Sequence, residues 1–155
     1  MTFPRFLALA LGLSLSLAFS NAHAAATGAV SVPVETVKPW VRWMPANLPA
    51  AGYVTLVNPS KEDVVLAGVS TPDYAEVMLH ESYTAADGSA GMRMVDRLTI
   101  PAGGRVALAP GGYHLMLMDA RHRIEPGDTV VIELAFADGR HVSVRFPVKP
   151  ANTRS

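Results

Sequence analysis

From Val30 onward the chain consists of short apolar runs separated by turn-forming residues. Many runs are rich in β-branched or aromatic residues and partly alternate between apolar and polar positions, which is typical of strands with one buried face. Clusters such as Asn58-Pro59-Ser60 and Pro110-Gly111-Gly112 mark turns between them. This part of the chain has no helical period and no internal repeat. The pattern predicts one all-β domain, an antiparallel β-sandwich or a small barrel.

Two local features sharpen this prediction. The dipeptide Asp138-Gly139 lies between the apolar runs VVIELAF and HVSVRF and predicts a two-residue β-hairpin. The segment MRMVDRLTI forms one apolar run after the polar, glycine-rich segment TAADGSAG. We therefore expect Met92 and Met94 at the edge of a loop.

The first residues predict a signal peptide. Arg5 is followed by an apolar stretch over residues 6–19 and then by Ala22-His23-Ala24, which fits the A-x-A cleavage form. Cleavage after Ala24-Ala25-Ala26 is the alternative. We predict a cleaved signal peptide over 1–24, a β-sandwich domain over 25–149 and a flexible tail over 150–155. The apolar stretch is short for a spanning helix, so an exported, soluble protein without a membrane span is expected.

Charge and composition exclude several kinds of function. Without Arg5 the chain has 12 basic and 13 acidic residues, a formal charge of 12 − 13 = −1, which does not favour a nucleic-acid partner. The chain has no cysteine, so thiol nucleophiles, thiol redox pairs and cysteine-based zinc sites are excluded. No G-x-S-x-G turn indicates a hydrolytic nucleophile. We expect no enzymatic activity.

Methionine is distributed unusually along the chain. In GYHLMLMD, residues 112–119, a strand would place His114, Met116 and Met118 on one face and Leu115 and Leu117 on the other. Five of the six methionines after the signal peptide lie two residues from a histidine or another methionine. Methionine often fills gaps in a core, and this is the interpretation that we favour for Met78. For the methionines at the loop edge and after Pro-Gly-Gly a functional role is the better interpretation.

Ligand chemistry indicates which metal such side chains would bind. Thioether sulfur and imidazole nitrogen are neutral donors, and thioethers prefer soft ions, above all Cu(I). Zinc sites favour thiolate, histidine and carboxylate ligands instead. A chain without cysteine and rich in methionine therefore fits copper handling outside the cytoplasm.

The sequence resembles a known family at several places. The segments LHE at 79–81, GMRM at 91–94, IPAGG at 100–104 and PGGYHLMLM at 110–118 resemble the periplasmic copper chaperone family called PCuAC. In that family a histidine is followed about ten residues later by a methionine, and after twenty-one further residues by His-x-Met. Here eleven residues separate His80 from Met92, one more than in the commonest form, and twenty-one separate Met92 from His114. The resemblance extends over nearly the whole chain after the signal peptide.

The resemblance implies a fold, a ligand set and partners. It implies a cupredoxin-like β-sandwich of Greek-key type in the periplasm that binds one Cu(I) through His80, Met92, His114 and Met116. Met94 and Met118 would lie around these ligands as a sulfur-rich surround or relay. The implied partners are the CuA site of cytochrome c oxidase subunit II and Sco-type proteins. The His- and Met-rich tail of some members is absent from this sequence, so no separate Cu(II) site is expected.

Other functions and residues stay open at this stage. The chain could instead be an exported protein-binding module with a methionine contact patch, or a copper buffer or resistance protein without a delivery role. A blue-copper electron carrier is excluded because such sites use a cysteine thiolate. Six further residues could contribute to a metal site but are more simply explained as surface or loop residues. Four of them, Trp43, Met44, His122 and His141, could lie near the metal, and the carboxylates Glu81 and Asp119 could accept a hydrogen bond from an imidazole N–H.

Overall fold

The computed structural model describes residues 34–45 and 48–153, and in these ranges every regular element is a β-strand. The predicted signal peptide lies outside the described residues. The ten strands are β1 (Glu35–Arg42), β2 (Ala50–Val57), β3 (Val64–Ser70), β4 (Tyr74–Thr84), β5 (Ala90–Met94), β6 (Leu98–Ile100), β7 (Arg105–Leu108), β8 (Tyr113–Ala120), β9 (Thr129–Phe136) and β10 (His141–Lys149).

The strands hydrogen-bond in the order β5-β4-β8-β7-β2-β1-β10-β9-β3-β6. We call β5-β4-β8-β7-β2-β1 the first sheet and β10-β9-β3-β6 the second sheet. Between them lies a core of apolar side chains that includes Leu115, Leu117, Ile132, Leu134 and Phe146, all fully buried. The predicted all-β sandwich fold is therefore confirmed.

Not every strand pair is antiparallel. β1 and β10, which join the two sheets, are parallel, with Val41 opposite Val148. These strands are far apart in the chain, so no hairpin fixes their relative direction. β7 and β8 are also parallel, because both run antiparallel to β2, one after the other. The Pro110-Gly111-Gly112 turn lies between them; Gly112 N–H donates to Ala109 O and Gly111 has φ of 85°, as a type II turn requires.

One hairpin loop and one apolar run differ from the sequence predictions. The β9–β10 hairpin is present, but its loop has three residues, because Phe136 N–H donates to Arg140 O (2.9 Å) and Gly139 N–H donates to Phe136 O (3.0 Å). Gly139 has φ of 84°, the left-handed conformation at the third position of such loops. The apolar run MRMVDRLTI is not one strand; it is divided into β5, in the first sheet, and β6, in the second.

A β-bulge in β1 determines which side chains of this strand lie on the face of the first sheet that points away from the core. The pairing of β1 with β2 shifts between Val37 and Trp40, and Lys38 has φ of 51°. Bulges re-aim the side chains that follow them. Trp40 packs on Tyr53 with ring centres 4.8 Å apart, and both rings are buried although they are not part of the main core.

Candidate metal site

The alternation of side chains in β4 and β8 places histidines and methionines on the face of the first sheet that points away from the core. Leu79, Leu115 and Leu117 are buried in the core. Their neighbours His80, His114 and Met116 therefore lie on the opposite face, which we call the outer face. The predicted division of β8 between Leu115 and Leu117 on one side and His114 and Met116 on the other is confirmed.

Strand pairing brings together the residues that are distant in sequence. His80 lies directly opposite His114 across β4 and β8, and Met78 lies opposite Met116. Directly opposite residues of an antiparallel pair share one face. Met78 is therefore on the outer face and half-buried, and the interpretation of Met78 as a core residue is wrong.

The β4–β5 hairpin brings Met92 to the same face. Ala85 N–H donates to Ser89 O (2.8 Å) and Gly88 N–H donates to Ala85 O (2.9 Å), so the loop has three residues and ends at Gly88 with φ of 85°. The resulting register places Ser82 opposite Met92 and His80 opposite Met94. Met92 and Met94, which were expected at the edge of a loop, lie in the short edge strand β5 that follows the hairpin loop, with 51% and 60% of their surface exposed.

The distances allow His80, Met92 and His114 to share one ion. His80 Nδ1 lies 3.1 Å from Met92 Sδ, and the rings of His80 and His114 are 6.0 Å apart between centres and perpendicular. With metal–nitrogen bonds of about 2.0–2.1 Å, two imidazoles on one ion have ring centres at most roughly 6.4 Å apart. The two rings are thus within the range of a common ion.

His114 is oriented by a backbone carbonyl. It is only 7% exposed, and its Nδ1 lies 3.0 Å from Gly112 O. Because a carbonyl oxygen only accepts hydrogen bonds, Nδ1 carries the proton and donates it. Nε2 is then left with a free lone pair, the arrangement in which a neutral imidazole can bind a metal. The type II turn that begins β8 supplies this carbonyl.

A cleft of about 300 Å³ opens next to these residues, and three of the four predicted ligands, Met92, His114 and Met116, line it. The fourth, His80, contacts Met92. Met44, which the sequence offered as a possible contributor and which was explained more simply as a surface or loop residue, also lines the cleft. Arg42 is the one lining residue with a formal charge, and the described residues contribute no carboxylate to the lining.

The other residues considered from the sequence lie elsewhere. Met94 lines a neighbouring groove with Met78, and Met118 is half-buried on the outer face opposite Glu76, so neither borders the cleft. Trp43 packs against the core, and its indole Nε1 donates to Ile124 O (2.8 Å). This local packing agrees with the simpler explanation given for Trp43.

The two carboxylates considered as possible acceptors for an imidazole N–H do not have that role, in agreement with their simpler explanation as surface or loop residues. Glu81 lies on the opposite face of β4 from His80 and pairs with Arg93 (Oε2 to Nη2 2.6 Å). Asp119 is exposed and borders a different cleft. No group of three or more His, Cys, Asp or Glu side chains is positioned for a metal ion anywhere in residues 34–45 and 48–153. Three side chains of these four types therefore do not surround a common point on the described part of the outer face.

The surroundings of His80 favour its neutral form. Burial lowers the pKa of His80 below its ordinary value, and the neighbouring His114 lowers it further. The neutral imidazole, which is the metal-binding form, is thus favoured in the folded protein.

The two other histidines of the described residues lie against carboxylates away from the cleft. His122 Nε2 lies 3.0 Å from Asp73, and His141 Nδ1 lies 3.0 Å from Glu133. The hydrogen bond with Asp73 raises the pKa of His122. Burial opposes the ionisation of Asp73, but its hydrogen bonds with His122, Val131 N–H and Thr71 outweigh burial and lower its pKa. Both histidines are exposed, as the sequence predicted.

Fold and site together define a cupredoxin-like β-sandwich with imidazole and thioether groups on one outer face. The chain belongs to the LpqE-like family, since the family model "Putative lipoprotein LpqE-like" matches residues 17–148. A relative from Leifsonia xyli subsp. xyli (strain CTCB07), "Putative lipoprotein Lxx21020", is 30% identical over 116 residues, which are 75% of this chain and 69% of the relative. Both descriptions name a putative lipoprotein. None of the described residues forms a helix that could cross a membrane.

Solved structures agree with this fold. The solution structure of CuI-DR1885 from Deinococcus radiodurans has a TM-score of 0.62 and 38% identity, and the match covers 81% of this chain and 85% of that one. The copper-bound PCuAC domain from PmoF2 has a TM-score of 0.63 and 25% identity, over 76% of this chain and 93% of that one. The resemblance to PCuAC domains is thereby confirmed for the fold.

Proposed function

We propose that this protein is a periplasmic metallochaperone that binds one Cu(I) through His80, Met92, His114 and Met116. The observation that carries the proposal is the distance of 3.1 Å between His80 Nδ1 and Met92 Sδ. His80 lies directly opposite His114, and Met116 lines the same cleft as Met92 and His114. The four neutral donors belong to β4, β5 and β8, which are neighbouring strands of the first sheet, and the described cleft lining includes no carboxylate.

The donor set favours Cu(I) over other metals. Two thioethers and two imidazoles are soft or borderline ligands that leave the ion's charge uncompensated, which suits a single positive charge better than a double one. Names of similar structures point the same way, since CuI-DR1885 and the copper-bound PCuAC domain from PmoF2 contain copper.

The exposure of the site suits transfer. Half of the surface of Met92 is accessible, so an incoming ligand could reach the ion from the β5 side while His114 still holds it. Thioethers bind Cu(I) less strongly than a pair of thiolates, and copper would therefore move towards a cysteine-containing acceptor. The acceptors that we propose are the CuA site of cytochrome c oxidase subunit II and Sco-type proteins. Export through a cleaved signal peptide over 1–24 would place the protein in the same compartment.

Binding is tested by anaerobic Cu(I) titration against a chromophoric competitor. We expect one equivalent per chain, with affinity reduced at least tenfold in His114→Ala and in Met92→Ala, a loss of about 1.4 kcal/mol or more of binding free energy each. His141→Ala removes an exposed imidazole away from the cleft and serves as the matched control. Unchanged affinity in both ligand variants would refute the ligand assignment.

Delivery requires a second experiment. The Cu(I)-loaded protein is mixed with an apo Sco-type protein or with the apo CuA domain of oxidase subunit II, and copper is measured on each after separation. Transfer supports a chaperone. Copper that stays on this chain, although the acceptor takes up free Cu(I), indicates a buffer instead.

A further inference from the structure

Arg42 lies in the same transverse row of the outer face as a predicted copper ligand. It is opposite Ala51 across β1 and β2, and Ala51 is opposite Met116 across β2 and β8. Strands are about 4.8 Å apart, so Arg42 and Met116 are about 10 Å apart between backbones. Both side chains line the cleft described above.

The guanidinium group of Arg42 is held in place by aromatic rings rather than by a carboxylate. Its central carbon lies 5.4 Å from the ring centre of Trp40 and 5.1 Å from that of Tyr53, within the range of cation–π attraction. Arg42 Nε is buried and has no hydrogen-bond partner among the residues that the structure describes. In the same ranges no acidic side chain forms an ion pair with Arg42. The positive charge is therefore fixed and not neutralised locally.

We propose that Arg42 selects the charge of the bound ion, favouring a singly charged metal over a doubly charged one. The inference rests on the proposed copper function and deepens it. A fixed positive charge repels a divalent ion twice as strongly as a monovalent ion at the same position. The thioethers select a soft metal, and Arg42 adds discrimination by valence.

The size of the effect can be worked out for a separation between guanidinium and ion equal to the backbone spacing of Arg42 and Met116, about 10 Å. For unit charges about 10 Å apart and an effective dielectric constant of about 40, repulsion weakens binding about fourfold for a monovalent ion and about 16-fold for a divalent ion. Selectivity between the two thus changes about fourfold. The same repulsion lowers the affinity for Cu(I) itself, which helps release to an acceptor.

The test compares variants of Arg42 in the full protein. In Arg42→Gln we expect Cu(I) and Ag(I) to bind about fourfold more tightly and Cu(II) about 16-fold more tightly. The midpoint potential of bound copper should fall by about 35 mV, since tenfold corresponds to 59 mV for one electron. Arg42→Lys retains the charge and should behave like the wild type. If Arg42→Gln does not fold, as judged by thermal unfolding, Arg42→Met is the second neutral variant.

Arg105→Gln is the matched control, because it removes the same charge from an exposed position opposite Val57, six residues along β2 from Ala51 and about 20 Å away. The proposal is overturned if Arg42→Gln increases the affinities for Cu(I) and Cu(II) equally, or by no more than Arg105→Gln does. It is also overturned if Arg42→Lys behaves like Arg42→Gln. If the wild type binds no Cu(I), the proposed function fails and this inference fails with it. If the wild type binds one Cu(I) but selectivity is unchanged in Arg42→Gln, only the role of Arg42 is refuted.

Discussion

Asn58 is the one fully buried polar side chain among the described residues, and its replacement by alanine should strongly destabilise the sandwich. Its Nδ2 donates to Glu62 O (2.8 Å), Ile100 O (3.0 Å) and Pro101 O (3.1 Å). Its Oδ1 accepts from the backbone N–H and the hydroxyl of Ser60 (3.0 and 2.7 Å). One side chain therefore connects the β2–β3 turn to the end of β6.

The magnitude follows from what Asn58→Ala leaves behind. The bond to Ile100 O is buried, so that carbonyl loses its side-chain donor without gaining access to water, at about 1–3 kcal/mol. The other four bonds are only partly buried, so water replaces them in part and each contributes about 0.5 kcal/mol, or about 2 kcal/mol together. We expect a total loss of about 3–5 kcal/mol, a large part of the 5–15 kcal/mol typical of a domain.

Urea unfolding of the metal-free protein measures this loss as a lower midpoint at unchanged slope. Ser60→Ala removes the hydroxyl contacts with Asn58 Oδ1 and Glu62 O but leaves the three Nδ2 bonds of Asn58, so it should cost less than about 1 kcal/mol. Asn58→Asp should be at least as damaging as Asn58→Ala, because a carboxylate would face three carbonyl oxygens. A loss below 1 kcal/mol for Asn58→Ala would show that the carbonyls find other donors and would refute the reasoning.

Two further predictions concern pH. Protons compete with the metal for the imidazoles of His80 and His114, so Cu(I) affinity should be lower at pH 5 than at pH 7.5. Because the pKa of His80 is lowered, the loss of affinity due to His80 lies at the acid end of this range. Equal affinities at the two pH values would contradict imidazole ligation. Because the pKa of His122 is raised, its pairing with Asp73 stabilises the fold below about pH 6.5, and this contribution is lost as the pH rises through the raised pKa. Because the pKa of Asp73 is lowered, its contribution is present above about pH 4 and is lost in acid. His122→Asn should therefore lower the melting temperature more at pH 5 than at pH 8, and an equal decrease at both values would contradict this linkage.

The sequence was sufficient for properties that depend on local alternation. The period-two pattern of β8 predicted which face carries His114 and Met116, because Leu115 and Leu117 are apolar and their neighbours include a histidine. The same parity could have excluded Glu81 as a partner of His80, since adjacent residues of a strand point to opposite faces. The alternation in β4 could also have placed Met78 on the outer face, because Glu76 and His80 lie on its side of the strand and the apolar Val77 and Leu79 on the other.

Features that depend on pairing between distant strands could not be predicted in this way. Arg42 reaches the site through the pairing of β1 with β2 and of β2 with β8, and the bulge after Val37 decides which way its side chain points. Met44 reaches the cleft from the segment after β1. The acceptor for His114 is the backbone carbonyl of Gly112, which no side-chain pattern in the sequence could indicate.

The three-residue loop between β4 and β5 has a consequence for how relatives are compared. A tip of two residues with the same strand pairing would shorten the interval between His80 and Met92 by one, which is the difference between this chain and the commonest motif spacing. Length variation at the tip of the hairpin therefore leaves the sulfur beside the imidazole, whereas one residue added within either strand would turn Met92 to the wrong side. Sequence searches for such proteins should tolerate variable gaps at this hairpin and require only that histidine and methionine remain cross-strand neighbours.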